Sequence, residues 1–189
     1  MEKNIITIDD LSAPVLTEAA QAAMEMVADM SVALNPDEIL AEAKDTLSLE
    51  DFGDMEFMPR LTLLCEEWGQ DETINNLGLL GLRGKLVTFA KNRLLIQDLL
   101  TRHPEIHDVK IDAPIIVAGL PRSGTTHLLN LLAADSRLRS LPLWESYEPV
   151  PTPGEQMGEN GQDPRYERCD AQWQAMQQIS PLMAAMHPM

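Results

Sequence analysis

Glycine, hydroxyl and arginine side chains come together in the run GLPRSGTT at residues 119–126. Glycine permits backbone conformations that a side chain would forbid, and it lets an anion approach the main chain closely. Serine and threonine hydroxyl groups add hydrogen-bond donors, and the planar guanidinium of arginine suits phosphate or sulfate oxygens. This combination predicts a binding site for an anionic group. Its candidate residues are Gly119, Arg122, Ser123, Gly124, Thr125 and Thr126.

A strand and a helix are expected to flank this loop. Residues 114–118 (PIIVA) form a short, β-branched and nearly continuous apolar run, which is typical of a strand buried on both faces of a parallel sheet. Residues 127–136 (HLLNLLAADS) place leucines on one helical stripe. Strand, glycine turn and helix in this order leave backbone N–H groups unpaired at the helix start, with the positive end of the helix dipole behind them. Such an arrangement cradles a phosphate group.

The loop departs at one position from the phosphate-binding loop of nucleotide hydrolases, G-x4-G-K-[ST]. The spacing of Gly119 and Gly124 matches that pattern, and Thr126 stands at its Ser/Thr position. Thr125, however, replaces the lysine that reaches β- and γ-phosphates. A kinase or NTPase with an atypical loop is therefore an alternative, but this loop lacks the lysine charge that such an enzyme uses. An enzyme that binds a single 5′-phosphate does not need that lysine. A non-catalytic helical binding module that retains the loop for packing is a further alternative.

The run GLPRSGTT resembles the 5′-phosphosulfate-binding loop of the sulfotransferases that use 3′-phosphoadenosine 5′-phosphosulfate (PAPS). Further segments are similar to bacterial members of that family with a helical N-terminal extension: LSLEDFGD, LGLLGLRGKLVTFAKNRLLIQDLLTRHPEI, LPLWESYEPVPTP and DPRYERCDAQ. The resemblance covers most of residues 45–189. It implies transfer of a sulfuryl group from PAPS to an acceptor hydroxyl, with no metal required. The implied contacts with the phosphosulfate are Arg122, Ser123, Gly124, Thr125 and Thr126.

Sulfuryl transfer also needs catalytic groups. Arg122 is expected to stabilise the charge that develops on the transferred oxygens and on the leaving phosphate. The resemblance implies a glutamate base downstream of the loop, at the end of the next strand, which we expect near residues 139–144. Glu145 follows the apolar run there and is the preferred candidate for this base. The alternative bases are Glu148, His127 and His187.

Helical signals dominate the residues before the loop. Asn35 and Pro36 offer an N-cap and a proline at the first helical position. The expected fold is α/β, with a helical region over residues 1–110 followed by a P-loop-type parallel sheet within 111–189. Because only two strands are visible, we expect an incomplete sulfotransferase-like domain that is inactive by itself, with the 3′-phosphate-binding residues beyond Met189. Periodicity predicts helices over 11–33, 36–46, 56–68, 74–101 (the longest) and 165–178.

The composition argues against several classes of function. A total of 14 basic and 30 acidic residues gives a net charge of −16, which disfavours neutralisation of nucleic-acid phosphates and binding to anionic membranes. No apolar run approaches the roughly 18 residues of a membrane-spanning helix, and the acidic N-terminus lacks the basic start of a signal peptide, so we expect a cytoplasmic protein. The predicted partner is a small-molecule or peptide hydroxyl, since alcohol, phenol, sugar and tyrosine acceptors all fit. The oligomeric state stays open.

Overall fold

Helices make up the regular structure of the chain in the computed structural model, which describes residues 7, 9, 12–158 and 160–183. A 3₁₀ helix, Pro104–Asp108, follows the longest α-helix directly. The α-helices within these residues are α1 (Glu18–Met26), α2 (Pro36–Leu47), α3 (Met58–Gln70), α4 (Asn76–Arg102), α5 (Thr125–Ala133), α6 (Leu143–Tyr147) and α7 (Pro164–Ile179).

Asparagine caps fix the N-terminal ends of α2 and α4. The Asn35 side chain accepts a hydrogen bond of 2.9 Å from the backbone N–H of the second helical residue of α2, and proline precedes that residue. Asn75 likewise accepts a bond of 2.9 Å from the N–H of Gly78 in α4. With 27 residues, α4 is about 40 Å long. The predicted helices over 36–46 and 74–101 are therefore confirmed, with small shifts of their ends.

The hydrophobic core lies between α2, α3 and α4. Ile39 and Leu94 are fully buried, and Phe52, from the connection between α2 and α3, is buried with them. Arg93 of α4 holds this connection, because its Nε donates a hydrogen bond of 2.8 Å to the carbonyl of Phe52 and its guanidinium lies 4.4 Å from the centre of the Phe57 ring. The buried members of the core are Ile39, Leu40, Ala43, Phe52, Leu61, Cys65, Leu86, Val87, Ala90 and Leu94.

Side-chain hydrogen bonds join helices that are distant in sequence. Thr17, which also caps α1, donates its hydroxyl proton to the carbonyl of Gln178 in α7 at 3.1 Å. Asn92 of α4 donates from Nδ2 to the carbonyl of Tyr147, the last residue of α6, at 2.7 Å. Helix α6 packs on α7, and α1 packs on both α7 and α4. The long helix α4 thus connects the core to the segment that follows the glycine loop.

The predicted α/β fold with a parallel sheet is wrong for the residues that the structure describes, because they contain no β-strand. Residues 114–118 have no regular secondary structure, and the side chains of Ile115 and Ile116 are 62% and 81% exposed. The strand expected near residues 139–144 is also absent, since α6 already begins at Leu143. A β-branched apolar run is recognisable locally, but a strand forms only where a neighbour accepts its hydrogen bonds. The described residues supply no such neighbour.

The remaining helix predictions differ in how well they hold. In the described part of the 11–33 prediction, residues 12–33, helix is confined to Glu18–Met26, and a turn follows. The helices predicted over 56–68 and 165–178 are confirmed as α3 and α7. Among the helices of the described ranges, none is both long and apolar enough to cross a membrane.

Candidate functional site

The glycine loop ends where α5 begins, and its last glycine is the N-cap. Gly124 has no side chain to cap the helix, and the first intrahelical bond runs from the Leu128 N–H to the Gly124 carbonyl at 3.0 Å. The backbone N–H groups of Thr125, Thr126 and His127 therefore have no acceptor within the helix. Because these groups point out of the helix start, they favour an anion there.

Two residues of the loop have left-handed backbone conformations. Gly124 has φ +90°, a region that glycine enters without steric cost. Arg122 has φ +64°, which costs a residue with a side chain roughly 1–2 kcal/mol. Strained residues of this kind concentrate at ligand-binding sites. The sequence carries no signal for the conformation of Arg122, since arginine has no preference for positive φ.

The structure brings Gly119, Ser123 and Thr125 together. A Cβ atom added to Gly119 would lie 2.8 Å from Ser123 Oγ and 2.9 Å from Thr125 Cγ2, so only glycine fits this position without a shift. The Ser123 hydroxyl donates a hydrogen bond of 2.6 Å to the carbonyl of Leu120, and the Ser123 N–H donates to the same carbonyl at 3.2 Å. Hydrogen bonds within the loop thus stabilise the turn, as expected for an anion-binding loop that is formed before the anion binds.

Glu145 lies in the middle of α6, where an arginine holds its carboxylate. Nη2 of Arg139 donates to Oε1 at 2.8 Å and to Oε2 at 2.6 Å. The two partners differ in exposure, because the side chain of Glu145 is 18% exposed and that of Arg139 is 73% exposed. The sequence analysis did not identify Arg139, although its charge at a short distance from Glu145 in the sequence was the available signal.

Glu148, the alternative carboxylate, belongs to an ionic network. Both of its oxygens accept hydrogen bonds of 3.1 Å from Nε of Arg168, and Nη2 of Arg168 lies 2.5 Å from Oε2. Arg168 also donates from Nη1 to Glu155 at 2.5 Å. These bonds lower the pKa of Glu155 and raise the pKa of Arg168. Glu148 is therefore committed to a structural pairing, whereas Glu145 pairs with an exposed side chain.

The side chain of Arg165 in α7 contacts three other residues, and Arg165 is only 9% exposed. Its Nε and Nη2 donate to the two oxygens of Asp163 at 2.9 and 2.6 Å, and this fork lowers the pKa of Asp163. Its Nη1 donates to the carbonyl of Glu148 at 2.9 Å. Its guanidinium lies 4.8 Å from the centre of the Trp144 ring. Sequence reasoning missed Arg165, because these partners meet only in the folded chain.

Comparison with known proteins assigns the segment that contains the loop and both glutamates. Residues 114–189 match the sequence model described as the sulfotransferase family. This segment therefore belongs to the sulfotransferase family. The crystal structure of sulfotransferase STF1 from Mycobacterium tuberculosis H37Rv is similar to this chain, with a TM-score of 0.64 and 33% sequence identity. The similarity covers 77% of this chain and 40% of that protein, so the chain spans well under two thirds of its length. No curated protein sequence matches the chain.

Two histidines are the remaining candidates for the base. His127 is exposed in the first turn of α5. His187 lies outside the described residues.

Cys65 is buried and Cys169 is half-buried, and both are free thiols. Within the described ranges, no three His, Cys, Asp or Glu side chains are grouped closely enough to hold a metal ion.

An open apolar groove of about 550 Å³ lies on the helical region before the loop, and its lining contains none of the candidate residues. Side chains of α3 and α4, including Leu64, Phe89 and Ile96, line it together with Phe52. None of the loop residues and neither glutamate belongs to its lining. The groove therefore does not identify the site at which the chemistry would occur.

Proposed function

We propose that the loop at residues 119–126 binds the 5′-phosphosulfate of PAPS and that the protein transfers the sulfuryl group to an acceptor hydroxyl. The supporting observation is the shape of the loop, which has no room for a Cβ at Gly119 and has left-handed backbone at Arg122 and Gly124. The unpaired N–H groups at the start of α5 favour an anion beside this loop. Membership of the sulfotransferase family agrees with this use of the loop.

In the proposed reaction, PAPS is the sulfuryl donor and each protein group has one task. The acceptor oxygen forms a bond to sulfur while the bond from sulfur to the bridging phosphate oxygen breaks, and the phosphate leaves with that electron pair. Glu145 receives the proton of the acceptor hydroxyl. The N–H groups of the loop and the Arg122 guanidinium stabilise negative charge on the transferred group and on the leaving phosphate. The proposal includes no metal ion.

Glu145 suits the role of base better than Glu148 because its partner can move away. The Arg139 side chain is mostly exposed, and exposed ion pairs contribute only about 0–1 kcal/mol. An acceptor could therefore displace Arg139 from one carboxylate oxygen at little cost. Removal of Arg168 from Glu148 would instead break several hydrogen bonds at once. His127 and His187 stay as alternative bases.

Nucleotide binding separates the proposal from the kinase or NTPase alternative. Isothermal titration of the full-length protein with 3′-phosphoadenosine 5′-phosphate (PAP), the product form of the donor, is compared with titration by MgATP. We expect far tighter binding of PAP, and its loss in Arg122→Ala. A Thr125→Lys variant restores the lysine of nucleotide hydrolases and should not improve PAP binding. Preference for MgATP with hydrolysis would refute the proposal, and unchanged PAP binding in Arg122→Ala would remove Arg122 from the site.

Transfer is measured with radiolabelled PAPS and one acceptor from each class that the sequence leaves open: an alcohol, a phenol, a sugar and a tyrosine peptide. For the best acceptor, Glu145→Gln should lower kcat by about 10²- to 10⁴-fold, the usual contribution of a general base. Glu72→Gln, an exposed glutamate between α3 and α4, is the matched control. No transfer to any acceptor contradicts the activity, and full activity of Glu145→Gln contradicts its role.

The acceptor and the location of the protein complete the proposal. We propose a small-molecule or peptide hydroxyl as the acceptor and the cytoplasm as the compartment. The two free thiols, Cys65 and Cys169, agree with a reducing compartment. Fractionation of cells that produce the tagged full-length protein tests the location.

A further inference from the structure

The candidate base lies in a helix that is too short to be stable by itself. Helix α6 has five residues, Leu143–Tyr147, and Glu145 is its central residue. Isolated helices of fewer than about 12–15 residues are marginal even with favourable sequences. Pro142 at the N-cap makes no side-chain capping bond. The position of Glu145 must therefore depend on contacts from outside α6.

Arg139 pairs with the Glu145 carboxylate itself, and side chains of two other helices contact the backbone and the indole ring of this segment. Asn92 of α4 donates to the carbonyl of Tyr147, at the C-terminal end of α6. Arg165 of α7 donates to the next carbonyl, that of Glu148, at 2.9 Å. The guanidinium of Arg165 also lies over the Trp144 ring at 4.8 Å. Arg165 is the one residue among these that contacts α6 both near Glu145 and beyond its C-terminal end.

We propose that Arg165 is a positioning residue that fixes the Glu145 carboxylate for proton transfer, an inference that rests on the proposed function. Trp144 immediately precedes Glu145, so a shift of the backbone at Trp144 moves Glu145 with it. Arg165 is itself held, because Asp163 accepts both hydrogen bonds of its fork. The chain Asp163, Arg165, Trp144 thus links the N-terminal end of α7 to the base.

The chemistry of this contact requires arginine. A guanidinium donates two parallel bonds to one carboxylate, donates a third to a carbonyl, and presents a flat face to an aromatic ring. A lysine ammonium is a compact point charge and cannot make all of these contacts together. Arg165→Lys should therefore keep the charge beside Asp163, and with it the fold of α7, but lose much of the hold on Trp144.

Hydrogen exchange tests the positioning independently of activity. Exchange is followed by mass spectrometry on the full-length protein, in peptides that cover residues 143–148 and, as an internal reference, α2. Arg165→Met should increase exchange in 143–148 and leave α2 unchanged, and Arg165→Lys should have a smaller effect. Arg102→Met removes an exposed arginine that pairs within α4 and serves as the control. Unchanged exchange of 143–148 in Arg165→Met overturns the proposal.

Kinetics test whether Arg165 acts through Glu145. Arg165→Met should lower kcat by about 10- to 100-fold, as expected when a catalytic group moves by roughly 1 Å, with little change in KM for PAPS. The double variant Arg165→Met, Glu145→Gln should be no slower than Glu145→Gln itself, because the base is already gone. If the two losses multiply instead, Arg165 does not act through Glu145 and the proposal fails.

These measurements also separate the inference from the function on which it rests. If Glu145→Gln keeps full transfer activity while Arg165→Met raises exchange in 143–148, Arg165 holds α6 but Glu145 is not the base, and the proposed base is refuted. If Glu145→Gln abolishes transfer while Arg165→Met changes neither exchange nor kcat, the base stands and the positioning role of Arg165 is refuted.

Discussion

Replacement of Gly119 by alanine tests the loop with a single methyl group. The new Cβ would lie 2.8 Å from Ser123 Oγ and 2.9 Å from Thr125 Cγ2, and both distances are shorter than real Cβ contacts. Relief requires that the two side chains move. Ser123 would then give up its bond of 2.6 Å to the Leu120 carbonyl, at a cost of about 1 kcal/mol. The fold as a whole should tolerate this, because the loop and α5 bury no residue of the core.

The loss should therefore appear in anion binding. A hydrogen bond to a charged group contributes about 1.5–3 kcal/mol, so a shift of the loop that misdirects one backbone N–H donor should weaken binding of PAP by about 10- to 100-fold. Isothermal titration measures this affinity, and thermal unfolding measures stability on the same samples. Gly84→Ala is the matched control, since a Cβ there meets nothing within 4 Å and α4 should gain about 1 kcal/mol. Binding of PAP by Gly119→Ala as tight as in the wild type refutes the assignment of the loop.

Other predictions concern stability and reactivity. Leu94→Ala in the core should cost about 2–5 kcal/mol in urea unfolding, whereas Leu131→Ala, which is exposed on α5, should cost less than about 0.5 kcal/mol; equal effects would contradict the described core. Because Arg168 lowers the pKa of Glu155 in the folded protein, the stabilisation from this pair is complete above the carboxyl's ordinary value of 4.5 and declines as the pH falls below it. The stability difference between wild type and Arg168→Met should therefore shrink in acid, and a constant difference would count against the pair. Cys65 is buried, and burial raises the pKa of its thiol. We therefore expect Cys65 to react with a disulfide reagent only when the protein unfolds. An immediate reaction of Cys65 in the folded protein would contradict its burial.

The sequence predicted the elements whose causes are local. An asparagine directly before proline determines where α2 begins, and the three- and four-residue spacing of leucines identifies α4. The glycine loop and the start of α5 were predictable for the same reason. The β-branched run at residues 114–118 gave the wrong answer, because a strand depends on a partner that no local pattern reveals.

The side chains that surround the candidate base could not be predicted from the sequence. An apolar run before Glu145 suggested a strand, but the hydrogen bonds from Asn92 and Arg165 hold a short helix there instead. These donors come from α4 and α7, far away in the chain. The choice between Glu145 and Glu148 likewise needed the position of Arg168, because both carboxylates follow the same run of residues.

The bonds that join α1 and α4 to the later helices share a direction that matters for recombination between relatives. Thr17 and Asn92 donate from side chains, whereas their acceptors at residues 178 and 147 are main-chain carbonyls. Every amino acid offers a carbonyl, so the sequence requirement lies on the N-terminal side only. A chimera joined near residue 110 should therefore accept a foreign C-terminal segment of the same backbone shape, provided that its helical parent contributes Thr17 and Asn92.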